Sequence, residues 1–139
     1  KNGVDLLDSE SIVFVHDGVR CLVTPDLIKA CYKQACELGS AIPAVSATDS
    51  IRIVDMQSGH SAIDRNQVKI IQTPQTFKSE LLIRAFNLPY QDSFTDEATV
   101  VEYSGEKTFL IEGDYDNLKI TRPVDLLLAE SILQKRRST

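Results

Sequence analysis

The sequence is poor in cysteine, and the cysteines that it has form no pattern. Cys21, Cys31 and Cys36 are odd in number and contain no CxxC spacing. These features argue against both a disulfide framework and a zinc site, and they indicate a reducing compartment. No apolar run approaches the length of a membrane span, and no charged leader precedes an apolar stretch. We therefore expect a cytoplasmic protein.

Basic character is also scarce. The chain has 15 lysines and arginines against 20 acidic residues, a formal net charge of -5, and its only basic cluster is residues 135–137. Nucleic acid is a poor candidate partner, because its recognition needs a basic face. Cations in the last turn of a helix complement the helix dipole, which explains the cluster without a ligand.

Familiar nucleotide and hydrolase motifs are missing. The chain contains no G-x-G-x-x-G, G-x-x-x-x-G-K-[ST], H-E-x-x-H or G-x-S-x-G, so it has no phosphate loop of a known type. Its only methionine is Met56 and its first residue is Lys1. We interpret this as an indication that the chain is a fragment of a longer protein.

The residues that are present predict a single α/β domain. A length of 139 residues with 42% hydrophobic content suffices for one core. Short, continuous apolar runs at 12–15, 42–45 and 109–111 are typical of strands buried in a parallel sheet.

Helix signals lie between and after these runs. Thr24 and Pro25 open a helix that Gly39 ends, so the first two strands are expected to form a right-handed βαβ unit of a mostly parallel sheet. The pattern predicts three more helices: residues 78–86, a helix from an N-cap at Thr95 to 103, and one opened by Thr121 and Pro123. A loop over 112–117 and an extended piece over 118–120 precede the last helix.

Residues 48–73 have a different pattern, in which Ile51 and Ile53 alternate with polar residues. We expect a β-arm inserted in the α/β scaffold. An isolated hairpin is only marginally stable in water, so this arm needs a partner surface, and a second subunit is one candidate.

Ligands bind at the carboxyl ends of strands in open α/β sheets, which singles out Asp17 and Arg20. A structural ion pair in a turn explains the same residues. His16 reads as a structural residue. Asp64 with Arg65 is also compatible with a solvated pair, and the acids after Thr95 are better explained by a helix N-terminus than by a metal site.

Six segments taken together resemble one family in their order and spacing. They are H-D-G-V-R (16–20), A-I-P-A-V-S-A-T-D-S (41–50), I-D-R (63–65), Q-T-P-Q-T-F (72–77), T-D-E-A (95–98) and E-G-D-Y-D-N-L-K-I-T-R-P-V-D-L (112–126). The family is 2-C-methyl-D-erythritol 4-phosphate cytidylyltransferase, of the non-mevalonate isoprenoid pathway, and the resemblance covers residues 12–133. Ribitol 5-phosphate cytidylyltransferases share much of this pattern and stay an alternative.

The resemblance implies a fold, an assembly and a reaction. The fold is a Rossmann-like nucleotidyltransferase fold with flanking helices, and the assembly is a homodimer through the β-arm. In the reaction, the phosphate of a sugar alcohol attacks the α-phosphorus of CTP, giving a CDP-alcohol and pyrophosphate. The enzyme must bring two anions together, which requires cationic side chains and Mg²⁺ rather than a protein nucleophile.

The resemblance also assigns roles to residues. Asp17 and Arg20 resemble the pair that faces the sugar alcohol, and Asp17 is a candidate Mg²⁺ ligand. Arg65 and Lys119 resemble the catalytic cations that hold the substrate phosphate, and Thr73 resembles a hydroxyl on the same phosphate.

Ser50 stands where the family usually has threonine and is also expected to bind substrate. Because the arm intertwines with a second subunit in this family, Ser50 and Arg65 are expected to reach the neighbour's site.

Two departures from the family stand out. The N-terminal glycine-rich segment that binds CTP has no counterpart here, so we expect the nucleotide-binding portion to be missing and this chain alone to be inactive. A non-catalytic dimerisation or substrate-binding fragment is therefore a second alternative. Cys21 replaces the proline that commonly follows the arginine, which is expected to loosen that turn without removing a functional group.

Overall fold

A computed structural model describes residues 3–8 and 10–138 of the chain. Strands and helices follow one another along it, with short 3₁₀ helices at Val4–Leu6 and Arg65–Gln67. The elements are β1 (Ile12–Val15), α1 (Pro25–Leu38), β2 (Ser40–Ser46), β3 (Ile51–Asp55), β4 (Gly59–Ile63), β5 (Lys69–Ile71), β6 (Gln75–Lys78), α2 (Ser79–Phe86), α3 (Glu97–Tyr103), β7 (Leu110–Glu112) and α4 (Pro123–Arg137).

Helix α1 begins and ends as the sequence predicts. The Thr24 side chain accepts a hydrogen bond from the Leu27 amide at 3.3 Å, and Pro25 occupies the first turn, where no amide proton is needed. Gly39 ends the helix with a φ of 93°, a left-handed conformation that favours glycine.

The starts of α3 and α4 differ from the prediction by one residue. Asp96, not Thr95, caps α3, because its carboxylate accepts the Thr99 amide hydrogen at 2.9 Å. Arg122 is the N-cap of α4, and Asp125 in the first turn accepts the Arg122 backbone amide at 2.8 Å. A carboxylate binds exposed amides more strongly than a threonine hydroxyl does, so the acidic residue takes the capping position in α3.

The prediction of a mostly parallel sheet is wrong for the described residues. β6 pairs antiparallel with both β1 and β2, and β5 pairs antiparallel with β2. Only the pairing of β2 with β7 is parallel. β1 and β2 do run in the same direction, as the βαβ prediction requires, but β6 lies between them and makes the sheet mixed.

The sequence pattern does not predict β6, because this strand begins with polar residues. Gln75 and Thr76 are almost fully buried, with 1% and 0% of their surface exposed, next to Phe77. Hydrophobic periodicity cannot reveal a strand whose buried residues are satisfied by hydrogen bonds instead of apolar contacts.

Two further predictions, on the strand at 109–111 and on the extended piece at 118–120, need correction. β7 is displaced by one residue from the predicted run at 109–111. Residues 118–120 form no strand, and Ile120 makes a single backbone hydrogen bond to the Val19 carbonyl, at 2.9 Å.

β3 and β4 form a two-stranded hairpin apart from the main sheet, with Ile51 opposite Ile63 and Asp55 opposite Gly59. The Asp55 carboxylate closes the turn by accepting the Ser58 amide at 2.7 Å. β5 pairs with β2 and therefore belongs to the main sheet rather than to this hairpin.

The core has one layer of helices on each face of the sheet. Ala41 of β2 packs with Leu27, Cys31 and Ala35 of α1. Successive residues of a strand point to opposite faces, so its neighbour Ile42 packs instead among residues of α2, α3 and β6. Among the helices of the described residues, none is long and apolar enough to cross a membrane.

Candidate functional site

A polar cleft of about 280 Å³ opens where β1 ends and the segments before β6, α3 and α4 meet. Its lining comprises Asp17, Arg20, Ile71, Gln72, Thr73, Gln75, Thr95, Asp96, Glu97 and Lys119. Four of the six predicted site residues are therefore brought together from distant parts of the chain. The neighbouring cavity between α2 and α3 is larger, about 600 Å³, but its lining is mostly apolar and includes none of the three predicted cations Arg20, Arg65 and Lys119.

Asp17 lies between two cations. Its Oδ2 atom is 3.3 Å from Nε of Arg20 and 3.2 Å from Nζ of Lys119. Partial burial alone raises the pKa of the Asp17 carboxyl, but the hydrogen bonds and positive charges of Lys119 and Arg20 outweigh it and hold this pKa below its ordinary value. The carboxylate therefore stays ionised and orients both cations.

Arg20 is buried and connects three segments. Besides Asp17, its guanidinium donates to the Asn117 carbonyl at 2.8 Å and approaches the Ile71 carbonyl at 3.5 Å. Asp17 and Arg20 thus form the ion pair that the structural interpretation predicts, and the same pair lines the cleft, while their role in ligand binding stays a prediction. Lys119 keeps 49% of its side chain exposed, so its ammonium can reach a ligand.

Thr73 is held by the residues that follow β1. Its Oγ1 accepts the Asp17 amide hydrogen at 3.0 Å and lies 2.9 Å from Nδ1 of His16. Nε2 of His16 lies 3.0 Å from the Arg20 carbonyl. His16 thus holds the Thr73 hydroxyl and the Arg20 backbone at the same time, a role that the sequence analysis did not assign to it.

The side-chain amides of two buried residues, Gln72 and Asn117, hold the loop that carries Lys119 in place. Gln72 donates to the Asp114 carbonyl at 2.8 Å and accepts the Asp114 amide hydrogen at 3.1 Å. Asn117, which is fully buried, donates to the Thr73 carbonyl at 2.8 Å. Lys119 follows two residues later, so its position depends on both contacts.

Gly113 allows this loop to approach the sheet. A Cβ at this position would lie 2.6 Å from Oε1 of Gln72 and 3.2 Å from the Ala44 backbone. The glycine is needed for close approach rather than for an unusual φ.

The sequence did contain a signal for the role of Gln72 and Asn117, because Gln72 directly precedes Thr73 and Asn117 lies two residues before Lys119. The signal is weak, because polar residues in loops usually face solvent.

Gln75 and Asp96 place the start of α3 at the cleft. The Gln75 amide donates to Oδ2 of Asp96 at 2.9 Å and accepts the Ala98 amide hydrogen at 2.9 Å. Burial raises the Asp96 pKa, but bonds from Thr99 and Gln75 outweigh this effect and lower it. Both oxygens of Asp96 are thus occupied, in keeping with the interpretation of this segment as a helix start.

Ser50 and Arg65 do not line the cleft of their own chain. Ser50 is exposed in the loop before β3. Arg65 is exposed in the 3₁₀ helix after β4, where Nη1 donates to the Thr48 carbonyl at 3.0 Å. Asp64 forms no ion pair with Arg65 within the described ranges, and instead it caps this 3₁₀ helix by accepting the Asn66 amide hydrogen.

No group of three or more histidine, cysteine, aspartate or glutamate side chains with metal-binding geometry occurs among residues 3–8 and 10–138. The family resemblance predicts Asp17 as the metal ligand, and the Oδ2 atom of Asp17 already contacts the two cations Arg20 and Lys119. Mg²⁺ is commonly held by one or two carboxylates together with substrate phosphates and water, so the donor set in the cleft fits such an ion only when phosphate is bound.

Comparison with known proteins shows the family of the chain. The sequence profile of 2-C-methyl-D-erythritol 4-phosphate cytidylyltransferase matches residues 1–135. The chain belongs to this family.

Relatives of the same name include the cytidylyltransferase of Phocaeicola vulgatus, 38% identical over 133 residues and covering 96% of this chain and 60% of the relative. That of Porphyromonas gingivalis is 40% identical over 134 residues with the same coverages. The chain thus spans about 60% of the length of these curated cytidylyltransferases.

Solved cytidylyltransferase structures share the fold. The 4-diphosphocytidyl-2C-methyl-D-erythritol synthase of Anaerococcus prevotii superposes with a TM-score of 0.84 at 30% identity, covering 96% of this chain and 64% of the other. The 2-C-methyl-D-erythritol 4-phosphate cytidylyltransferase of Thermus thermophilus gives a TM-score of 0.79 at 27% identity, covering 96% and 66%. The family resemblance inferred from the six motifs is confirmed.

Proposed function

We propose that this chain forms the alcohol-phosphate side of an active site that transfers a cytidylyl group from CTP to 2-C-methyl-D-erythritol 4-phosphate. The products are the CDP-alcohol and pyrophosphate. The observation that carries the proposal is the convergence of Asp17, Arg20, Thr73 and Lys119 on one cleft from three separate segments of a family member.

The cleft offers each kind of contact that the substrate requires. Lys119 presents a half-exposed ammonium to the substrate phosphate, and Asp17 fixes that ammonium through the 3.2 Å contact. Asp17 and Arg20 border the space for the alcohol. Since the phosphate oxygen is itself the nucleophile, the protein has to align it with the α-phosphorus of CTP and reduce the repulsion between the two anions.

The charge of the cleft supports a dimeric site. Its lining contains two cations, Arg20 and Lys119, against three carboxylates, Asp17, Asp96 and Glu97. Such a set attracts a phosphate dianion poorly by itself. We therefore propose a homodimer in which the hairpin of a second copy brings its exposed Arg65 and Ser50 to this cleft.

Exposed apolar residues on the hairpin favour the same assembly. Val54 and Met56 have 75% and 100% of their surface exposed. A hairpin with little apolar packing of its own is stabilised when a second subunit covers it.

Mg²⁺ belongs to the proposal as a group held by Asp17 and the phosphates. When bound, it supplies a divalent charge that neutralises phosphate oxygens.

A separate segment that holds CTP is also part of the proposal. In support of it, β1 pairs with β6 alone within residues 3–8 and 10–138, which leaves the other edge of β1 available for a further strand. The cytoplasmic location expected from the sequence stays a prediction.

The test is an assay of the full-length protein with CTP, Mg²⁺ and each of two acceptors, 2-C-methyl-D-erythritol 4-phosphate and ribitol 5-phosphate. We expect stoichiometric pyrophosphate and CDP-alcohol with the first acceptor. A higher kcat/KM with ribitol 5-phosphate would favour the alternative substrate, and no turnover with either would overturn the proposal.

The same assay on the 139-residue chain tests the expectation that it is inactive alone. Pyrophosphate release above the control without enzyme would contradict this expectation. Calorimetric titration of the chain with CTP and Mg²⁺ distinguishes an enzyme from a fragment that binds no nucleotide.

A further inference from the structure

His16 occupies a position in which both ring nitrogens have protein partners. Nε2 lies 3.0 Å from the Arg20 carbonyl oxygen, and Nδ1 lies 2.9 Å from Oγ1 of Thr73. A carbonyl oxygen can only accept, so Nε2 carries the ring proton. In the neutral ring Nδ1 is then an acceptor, and the Thr73 hydroxyl donates to it.

This assignment uses up the proton of Thr73. A hydroxyl has one proton and two acceptor lone pairs. The proton goes to His16, and the Asp17 amide donates to one lone pair at 3.0 Å. What Thr73 has left for the cleft that it lines is one lone pair.

We propose that His16 is a positioning residue that turns the Thr73 hydroxyl proton away from the cleft, so that Thr73 meets the ligand as a hydrogen-bond acceptor. The ligand group that matches an acceptor is a hydroxyl of the polyol, because the oxygens of a phosphate dianion only accept. The inference rests on the proposed function for its substrate, and it moves Thr73 from the phosphate to the alcohol part of the molecule.

A direct test reads the tautomer without any turnover. The chain has two histidines, and in ¹⁵N spectra of the full-length protein the variants His16→Asn and His60→Ala assign their imidazole spin systems. We expect the neutral His16 ring with its proton on Nε2, and a shift of its Nδ1 resonance in Thr73→Val. A proton on Nδ1, or a Nδ1 resonance that Thr73→Val leaves unmoved, overturns the proposal.

His60 serves as the internal control, because Arg52 in the hairpin lies 2.8 Å from its Nδ1. Its resonances should not respond to Thr73→Val. This measurement needs neither CTP nor acceptor, so it decides the role of His16 even where the proposed reaction fails.

A matched pair of variants separates the two contacts of the ring. In His16→Asn the short amide reaches the place of Nδ1, where its oxygen accepts the Thr73 proton. In His16→Gln the longer amide reaches the place of Nε2, where its nitrogen donates to the Arg20 carbonyl. We expect kcat/KM to stay within about threefold in His16→Asn and to fall about tenfold in His16→Gln, mainly through the KM of the alcohol phosphate, on the scale of one hydrogen bond.

A double-mutant cycle completes the test. If His16 acts through Thr73, His16→Gln causes no further loss in a Thr73→Val background. Losses that multiply, equal losses in the two single His16 variants, or a greater loss in His16→Asn would each assign a merely structural role to His16 and overturn the proposal.

Discussion

Replacing Lys119 with alanine separates its contribution to catalysis from its contribution to folding. The ammonium lies 3.2 Å from Asp17, with 49% and 33% of the two side chains exposed. Ion pairs this accessible to water contribute about 0–1 kcal/mol to stability, so the melting temperature should fall by no more than about 4 °C. A preorganised cation that stabilises transition-state charge contributes far more, and we expect kcat to fall at least about a hundredfold, or about 2.7 kcal/mol.

Steady-state kinetics and thermal melts of the full-length protein measure the two effects separately. Arg84→Ala is the matched control: Arg84 pairs with Glu106 at 2.9 Å, with 61% and 37% of the side chains exposed, and neither residue lines the cleft. It should change stability as little as Lys119→Ala does and leave turnover intact. A loss of less than about threefold in Lys119→Ala, equal to that in Arg84→Ala, would refute the reasoning.

The carboxyl of Asp17 provides an independent reporter of the same contact. Lys119 helps to hold the Asp17 pKa below its ordinary value, so this pKa should rise in Lys119→Ala. Because the Asp17 pKa is lower in the folded than in the unfolded protein, the ionised carboxylate stabilises the fold at any pH above the unfolded pKa. This stabilisation is lost as the pH falls through the folded pKa. The stability difference between wild type and Lys119→Ala should therefore shrink at acidic pH, which melts in a pH series would show.

Three other perturbations test separate parts of the structure. Co-expressed full-length Arg65→Ala and Lys119→Ala subunits should recover about a quarter of wild-type activity, because about half of the dimers are mixed and each has one intact site; confirmed mixed dimers as inactive as their parents would contradict the shared site. Gly113→Ala should destabilise the protein by about 1–3 kcal/mol because its Cβ would meet Gln72 and the Ala44 backbone, whereas Gly18→Ala, with nothing within 4 Å, should be nearly neutral in denaturant unfolding. Asp96→Ala should cost about 1 kcal/mol at neutral pH, and less as pH falls through the lowered Asp96 pKa, because the α3 cap needs the ionised carboxylate.

The helices were predictable because their signals are local. Thr24, Pro25 and Gly39 delimit α1 as expected, since capping depends on a few neighbouring residues. The one-residue error at α3 has a different origin: Thr95 and Asp96 are both good caps by local criteria, but Asp96 also accepts a hydrogen bond from Gln75, which is distant in sequence.

The order of the strands was not predictable from the same kind of signal. The pattern predicts that β1 and β2 run parallel, which they do, but not that β6 is inserted between them. Gln75 and Thr76 give β6 a polar character, and their burial is possible because hydrogen bonds such as those of Gln75 to Asp96 and Ala98 replace contacts with water. Those partners are contributed by α3, about twenty residues further along the chain.

The candidate site contains residues that a local sequence signal predicts and residues that only contacts distant in sequence bring together. Asp17 and Arg20 could be found from their place after a strand, because the ends of strands in open sheets are where ligands bind. Thr73 and Lys119 could be found only through the family resemblance, because loops that are far apart in sequence bring them to Asp17. Arg65 lies outside the cleft of its own chain, so within one copy its exposed guanidinium has only the Thr48 carbonyl as a partner in the described residues. A cleft in which acidic groups outnumber cations, together with an exposed arginine in the 3₁₀ helix after the hairpin, is compatible with the proposed site shared between two chains, and the mixed-dimer experiment tests this arrangement.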